Sequence, residues 1–311
     1  MGMEKMERLR LTVVFRPSFQ SANFVVSGLK LPEVRRIPLE FRNGRFSYAL
    51  YGLFLKLRLF RLAFRFRYAE ETRNALESVS GKVLFWDCCR AEEYRMLDSV
   101  MGGNVSKNVF FWNPLSRWCT DKKRVQRKMA YFKKRNFRFF TFDPRDADWF
   151  GMPLLKNVNR MLPADLPVQI KQDFYFVGKV KNRGNMLRSL ESRLREKGFR
   201  TRFLLVEKKS DAISNEENIL HSRESACIVD IVSEEQAGMT LRPLDALFLG
   251  RKLLTNCAEV ANMDFYDPAN IYIVRDLRLE GIENFMRTPC KKVDERIVLQ
   301  YEINQWIRNI F

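Results

Sequence analysis

Apolar residues along this chain alternate between short unbroken runs and stripes at helical spacing. Residues 11–15, 82–86, 108–112 and 137–142 are runs of strand length, nearly uninterrupted by polar positions. That pattern suits parallel strands buried on both faces. Between them, 89–100 and 121–135 carry polar residues at helical spacing and read as helices. After residue 170 the alternation resumes. Strands are expected at 173–177, 201–206, 226–232, 252–256 and 270–274, and helices at 183–197 and 243–249. Gly198 and Gly250 stand where those helices should stop. The last segment, 294–311, is amphipathic through Ile297, Val298, Tyr301, Ile303, Trp306 and Ile307. Strands alternating with helices predict an α/β protein with mostly parallel sheets. Asp87, Asn113 and Asp143 then fall at the carboxyl ends of strands, where such sheets bind ligands.

With 311 residues the chain is too long for one ordinary core, so two domains are expected. The stretch Met161-Leu162-Pro163-Ala164-Asp165-Leu166-Pro167-Val168-Gln169 is the best linker, which sets domains at 1–168 and 169–311. The longest stretch without a charged residue, 17–29, has 13 residues, and a spanning helix needs about 20. The first ten residues contain no apolar core of a secretory signal. Six cysteines without a C-x-x-C pair, beside the single histidine His221, fit neither structural zinc nor a disulfide framework. Free thiols in a reducing cytoplasm are expected. His221 itself reads as a surface or domain-packing residue.

The net charge of +18 divides unevenly. Residues 1–168 hold 32 Lys+Arg against 16 Asp+Glu, whereas 169–311 hold 23 against 21. An anionic partner for the first half follows. Residues 41–69 carry Arg42, Arg45, Lys56, Arg58, Arg61, Arg65 and Arg67 without one acid, among nine aromatic rings. On a helix, Arg58, Arg61 and Arg65 share one stripe. Such a segment suits an anionic membrane interface, single-stranded nucleic acid, or a core helix whose cations reach water. A second basic run covers 122–128 and 133–135, with Thr120 and Asp121 as helix caps. A solvated helix face and attraction to phosphates both explain it.

Two stretches carry chemistry. Tyr175-Phe176-Val177-Gly178-Lys179-Val180-Lys181-Asn182-Arg183-Gly184 ends a strand at a glycine and opens a helix with Lys179, Lys181 and Arg183. A helix N-terminus with added cations favours phosphate. The glycine spacing matches neither a dinucleotide fingerprint nor a P-loop. The second stretch, 226–256, runs from a strand through the loop Ser233-Glu234-Glu235-Gln236-Ala237-Gly238-Met239-Thr240 into a helix bearing Asp245, then Gly250 and another strand.

This order resembles the donor-nucleotide half of GT-B glycosyltransferases, above all those of bacterial lipopolysaccharide or capsule assembly. The likeness covers about 170–275, including 174–178 and 264–271, and loosely 137–151. It implies two Rossmann-like domains facing a central cleft, with the C-terminal helix packing back on the first. It also implies a nucleotide-diphosphate sugar as donor and no other cofactor. Backbone N–H groups at Gly238, Met239 and Thr240, with Gln236 beside them, would meet the pyrophosphate, joined by Gly178, Lys179, Lys181 and Arg183. Arg242 would neutralise the leaving diphosphate, and Asp245 would bind ribose hydroxyls. Retaining members often carry a carboxylate where this chain has Ala237.

An inverting reaction needs a base on the acceptor side. Asp87 and then Asp146 are the expected bases, and each is also a natural helix cap. Asp146-Ala147-Asp148 has the D-x-D spacing of metal-dependent transferases, yet it follows the helix-start signal Phe142-Asp143-Pro144, and no metal is expected. The expected acceptor is lipid-linked or a lipopolysaccharide or capsule precursor, met at the cytoplasmic face of the inner membrane. A non-catalytic binding protein of the same pathway and a nucleic-acid-binding protein are the alternatives.

Overall fold

The computed structural model describes residues 11–86, 90–117, 119, 121–161, 168–232 and 239–311, without the side chains of Arg117, Lys181 and Lys209. The chain divides into two compact units, Met1–Leu155 with Ile307–Phe311, and Lys156–Trp306.

The first unit is built on five strands, β1 (Leu11–Phe15), β2 (Val34–Pro38), β3 (Lys82–Trp86), β4 (Ser106–Phe111) and β5 (Phe137–Thr141). The second is built on β6 (Gln172–Lys179), β7 (Thr201–Val206), β8 (Ser225–Asp230), β9 (Lys252–Thr255) and β10 (Ile271–Ile273). The spatial orders are β2-β1-β3-β4-β5 and β10-β9-β8-β6-β7, and every pairing is parallel. Each unit is therefore a Rossmann-like, doubly wound α/β sheet of order 2-1-3-4-5. Unbroken apolar runs make this possible. Val14, Val83, Phe85, Val109, Phe137 and Phe139 fill one core, and Phe174, Phe176, Val229 and Leu254 another.

The helices follow their stripes. In Gly184–Glu196, Leu187, Leu190 and Leu194 are buried, and Gly198 beyond its end adopts φ +84°. Helix Lys122–Lys133 buries Val125, Met129 and Phe132 and turns most of its cations outward. Asp121 caps it by accepting from Arg124 N at 3.0 Å. Thr120 lies outside the described residues.

Several expectations are corrected. Strand β2 was not expected, because Arg35 and Arg36 interrupt it and only Val34 and Ile37 are buried. The 41–69 segment is two helices, Arg45–Lys56 and Phe60–Arg67. Arg58 sits in the turn between them at φ +59°, so the Arg58, Arg61, Arg65 stripe does not form. The amphipathic C-terminal segment is likewise two helices, Glu295–Leu299 and Ile303–Ile310. Residues 156–161 belong with the second unit because they bond there. Asn157 Nδ2 donates to the Met239 carbonyl at 2.9 Å, and Lys156 pairs with Asp264. The linker expected around Pro163 thus falls within the second unit's span, and 162–167 lie outside the described residues. Phe311 counts with the first unit, where its carbonyl accepts from Lys82 Nζ at 2.8 Å. Among the described residues, no helix is long and apolar enough to cross a membrane.

Candidate functional site

In a sheet of this order, ligands sit at the carboxyl ends of the first and third strands, where the connections diverge. In the second unit those strands are β6 and β8. Phe176, Val177 and Gly178 lie near the end of β6, and Asp230 ends β8. Asp230 is fully buried. Its Oδ1 accepts from Arg242 Nη1 at 3.1 Å and from Thr240 Oγ1 at 2.9 Å. Its Oδ2 is also buried and has no partner among the described residues. Arg242, the first residue of helix Arg242–Leu249, donates through Nη2 to the Val177 carbonyl at 2.5 Å. Arg183 comes from the loop after β6 and donates to the carbonyls of Ile231 and, at 3.2 Å, Lys179. Its Nε is buried without a hydrogen-bond partner among the described residues.

The two guanidinium groups meet over Gly178. A Cβ there would stand 2.6 Å from Arg242 Nη2 and 3.3 Å from Arg183 Nη2, so the close approach requires the missing side chain. Both cations also lie over the Phe176 ring, at 5.4 Å for Arg183 and 5.0 Å for Arg242. Burial, reinforced by repulsion from Arg242, pushes the Arg183 pKa down to about 10. The group still carries its charge at neutral pH, in a setting that disfavours it.

Asp245, in the first turn of the same helix, is half-buried. Its Oδ1 accepts from Asn159 Nδ2 at 2.7 Å. Burial raises its pKa to about 7, against the opposing pull of Arg242 and Asn159. Asn256 braces the loop beyond β8 from the end of β9, its side chain bonding both the N–H and the carbonyl of Val232 at 2.7 and 3.1 Å.

Of the residues named from the sequence, Gly178, Arg183, Thr240 and Arg242 come together here, with Lys179 exposed at the edge. Met239 is buried, with its carbonyl taken by Asn157. Gln236, Gly238, Asp87 and the Lys181 side chain lie outside the described residues. Asp230, Asn159 and Phe176 were missed as site residues. Asp230 had a signal, being the one acid inside the apolar run 226–232. Asn159 had none.

Asp146 does not fit a catalytic base. It is fully buried, and its oxygens accept from Leu115 N at 2.5 Å and Ser116 N at 2.8 Å. Asp148 is exposed, so the D-x-D pair does not converge. Among the described residues no group of three or more His, Cys, Asp or Glu side chains could hold a metal ion. His221 is buried rather than on the surface, with Nε2 3.0 Å from Arg202 Nη2 and its ring beside Tyr175. Cys227 and Cys257 are buried free thiols, and Cys119 and Cys290 exposed ones.

The first unit has a cluster in the same topological place, after β1 and β3. Glu93, buried, accepts from Arg16 Nη2 at 2.5 Å and Arg90 N at 2.9 Å on one oxygen. Its other oxygen faces Arg67 Nη2 at 3.4 Å. Arg67 lies over the rings of Phe41 at 3.9 Å and Tyr51 at 4.7 Å.

No family profile and no curated protein matches the chain. Among solved structures it is similar to the glycotransferase of kitacinnamycin, at 12% identity and TM-score 0.43 over 96% of this chain and 95% of that one. It is similar to a spinosyn forosaminyltransferase, at 12% identity and TM-score 0.45 over 96% and 90%. It is also similar to accessory secretory protein 1, 2 and 3 of Streptococcus pneumoniae, at 10% identity and TM-score 0.43. That match covers 80% of this chain, which spans about half, 53%, of the other. At these TM-scores any functional assignment rests on the chain's own residues.

Proposed function

We propose that the protein transfers a sugar from a nucleotide-diphosphate sugar, bound by the second unit, to an acceptor hydroxyl held by the first. The observation that carries this reading is the convergence of Arg183 and Arg242 over Gly178 at the switch point of the second sheet. Two cations against one buried carboxylate leave an excess of positive charge, and Asp230 answers them through one oxygen among the described residues. A diphosphate supplies the missing anion.

In the reaction, the bond between the anomeric carbon and the β-phosphate oxygen breaks as the acceptor oxygen bonds to that carbon. The acceptor proton passes to a base, and the bonding electrons leave with the diphosphate. Arg242 and Arg183 stabilise that growing charge, which is most effective in a site shielded from water. They do so without a metal ion. Asp245 takes the ribose hydroxyls. Asp87, next after β3, is proposed as the base.

The acceptor is proposed to be lipid-linked or a lipopolysaccharide or capsule precursor, reached at the cytoplasmic face of the inner membrane. Support comes from helices Arg45–Lys56 and Phe60–Arg67. Phe46, Tyr48, Leu53, Leu57, Leu59 and Leu62 are exposed there, among the exposed cations Arg42, Arg45, Lys56, Arg58, Arg61 and Arg65. Apolar side chains in the acyl boundary and cations at anionic headgroups would bind together. Each cation adds about 1 kcal/mol near such a surface. Arg67 is excluded from this role, being turned inward on Glu93.

Two experiments test the reading. In a thermal-shift screen of UDP-, GDP-, ADP-, CMP- and dTDP-sugars, at least one donor raises the unfolding temperature of the wild type and not of Arg242→Ala. No shift with any donor refutes nucleotide-sugar binding. Sedimentation with vesicles should retain the protein on anionic and not on neutral lipid. Affinity for RNA that is steeply salt-dependent, with no vesicle binding, would favour a nucleic-acid partner instead.

A further inference from the structure

Helix Arg242–Leu249 presents a second surface away from Asp230. A cavity of about 480 Å³ opens beside its carboxyl end and the amino ends of β9 and β10. That size is typical of small-molecule sites. The wall is apolar, with Ala246, Leu253, Phe265 and Ile271 all buried. The charged lining residues are Arg251, Lys291, Lys292 and Glu295, a cationic majority. Lys291 is paired with Asp267 at 2.8 Å.

Arg251 is the unusual member. It is half-buried, and burial lowers its pKa. Its Nη2 donates to the Arg223 carbonyl at 2.7 Å, while its Nε is buried with no hydrogen-bond partner among the described residues. Among the described residues no carboxylate pairs with it. Taking a cation out of water without an anion is costly. Here it borders an apolar cavity large enough to hold one.

We propose that this cavity binds an anionic amphiphile, its apolar body against Ala246, Phe265 and Ile271 and its carboxylate or phosphate head at Arg251 and Lys292. The shape selects the body and the cations select the head, so neither a neutral chain nor a bare anion satisfies both. The site stands independently of the nucleotide-sugar reading, since none of Gly178, Arg183, Asp230 and Arg242 lines it.

The test is calorimetric titration of the full chain with decanoate, decyl phosphate, decanol and inorganic phosphate, below the micelle threshold. Decanoate and decyl phosphate are expected to bind, and decanol and inorganic phosphate to bind at least about tenfold more weakly. Arg251→Met and Lys292→Glu should each weaken decanoate about tenfold, the loss of one charge-assisted contact. Lys292 is exposed, so its variant reports binding even if Arg251→Met folds poorly. Cys290 lies on the cavity wall, and bound decanoate should slow its alkylation as read by mass spectrometry. Decanol binding as tightly as decanoate overturns the proposal. So does unchanged affinity in Lys292→Glu, or alkylation of Cys290 at the same rate with ligand present.

Discussion

The two sheets place the same ingredients at the same topological position, and they are assembled to different ends. Each switch point has two arginines around one buried carboxylate. In the first unit the assembly is closed. Glu93 uses both oxygens on Arg16, Arg67 and Arg90 N, and Arg67 is covered by Phe41 and Tyr51. In the second it is open. Among the described residues Asp230 uses one oxygen, and the two guanidinium groups repel each other over a glycine. A closed cluster holds the fold together, and an open one is poised to accept an anion. Motif counting would score the two alike. The difference lies in which carboxylate lone pairs are already used.

The strongest way to break the comparison is to remove one partner from each. Arg242→Ala leaves Asp230 buried and unpaired, which costs roughly 3–5 kcal/mol. It should also abolish nucleotide-sugar binding, with affinity falling on the order of 100-fold. Glu93→Gln should cost a comparable part of the stability, read by urea unfolding, while nucleotide affinity stays within about twofold of wild type. If Glu93→Gln abolished nucleotide binding with stability intact, the first cluster would be the ligand site.

A smaller effect is expected of Gly178→Val. The new side chain must displace the ends of Arg242 and Arg183, which are flexible, so unfolding midpoints should move little. Nucleotide affinity should fall about tenfold, the value of one lost charge-assisted contact. Retained affinity would show that the arginines need not cross Gly178 to bind.

A pH dependence is expected of Asp245. Its folded pKa of about 7 lies above the ordinary carboxyl value near 3.9. Between about pH 4 and 7 the unfolded chain has released this proton and the folded chain still holds it. Stability therefore declines across that window as pH rises, by at most about 1.4 kcal/mol per pH unit. Asp245→Asn removes the decline, so its unfolding temperature should fall less than that of the wild type from pH 4.5 to 7.5. Parallel curves would mean that Asp245 is ionised throughout.

Much of the fold was legible because parallel strands buried on both faces leave unbroken apolar runs. Leu11–Phe15 and Lys82–Trp86 coincide with their runs. Val34–Pro38 pairs only with β1 and leaves Arg35 and Arg36 exposed, so it has no such run. The break at Arg58 was hidden because a residue other than glycine takes the left-handed conformation. The second site was legible as far as its cations and Gly178, since these cluster within one βα unit and the start of one helix. What completes it is long-range. Asn159 reaches Asp245 across 86 positions, and Arg16 reaches Glu93 across 77. No spacing rule connects such pairs, and only the folded sheet brings them together.

The central claim is that the second switch point is a diphosphate site and the first is not. Its most direct measurement is calorimetric titration of the best nucleoside diphosphate from the donor screen into wild type, Arg183→Gln and Glu93→Gln. The account predicts saturable binding to wild type and Glu93→Gln, and at least about tenfold weaker binding to Arg183→Gln, whose unfolding midpoint stays put. Equal affinity for wild type and Arg183→Gln would contradict it.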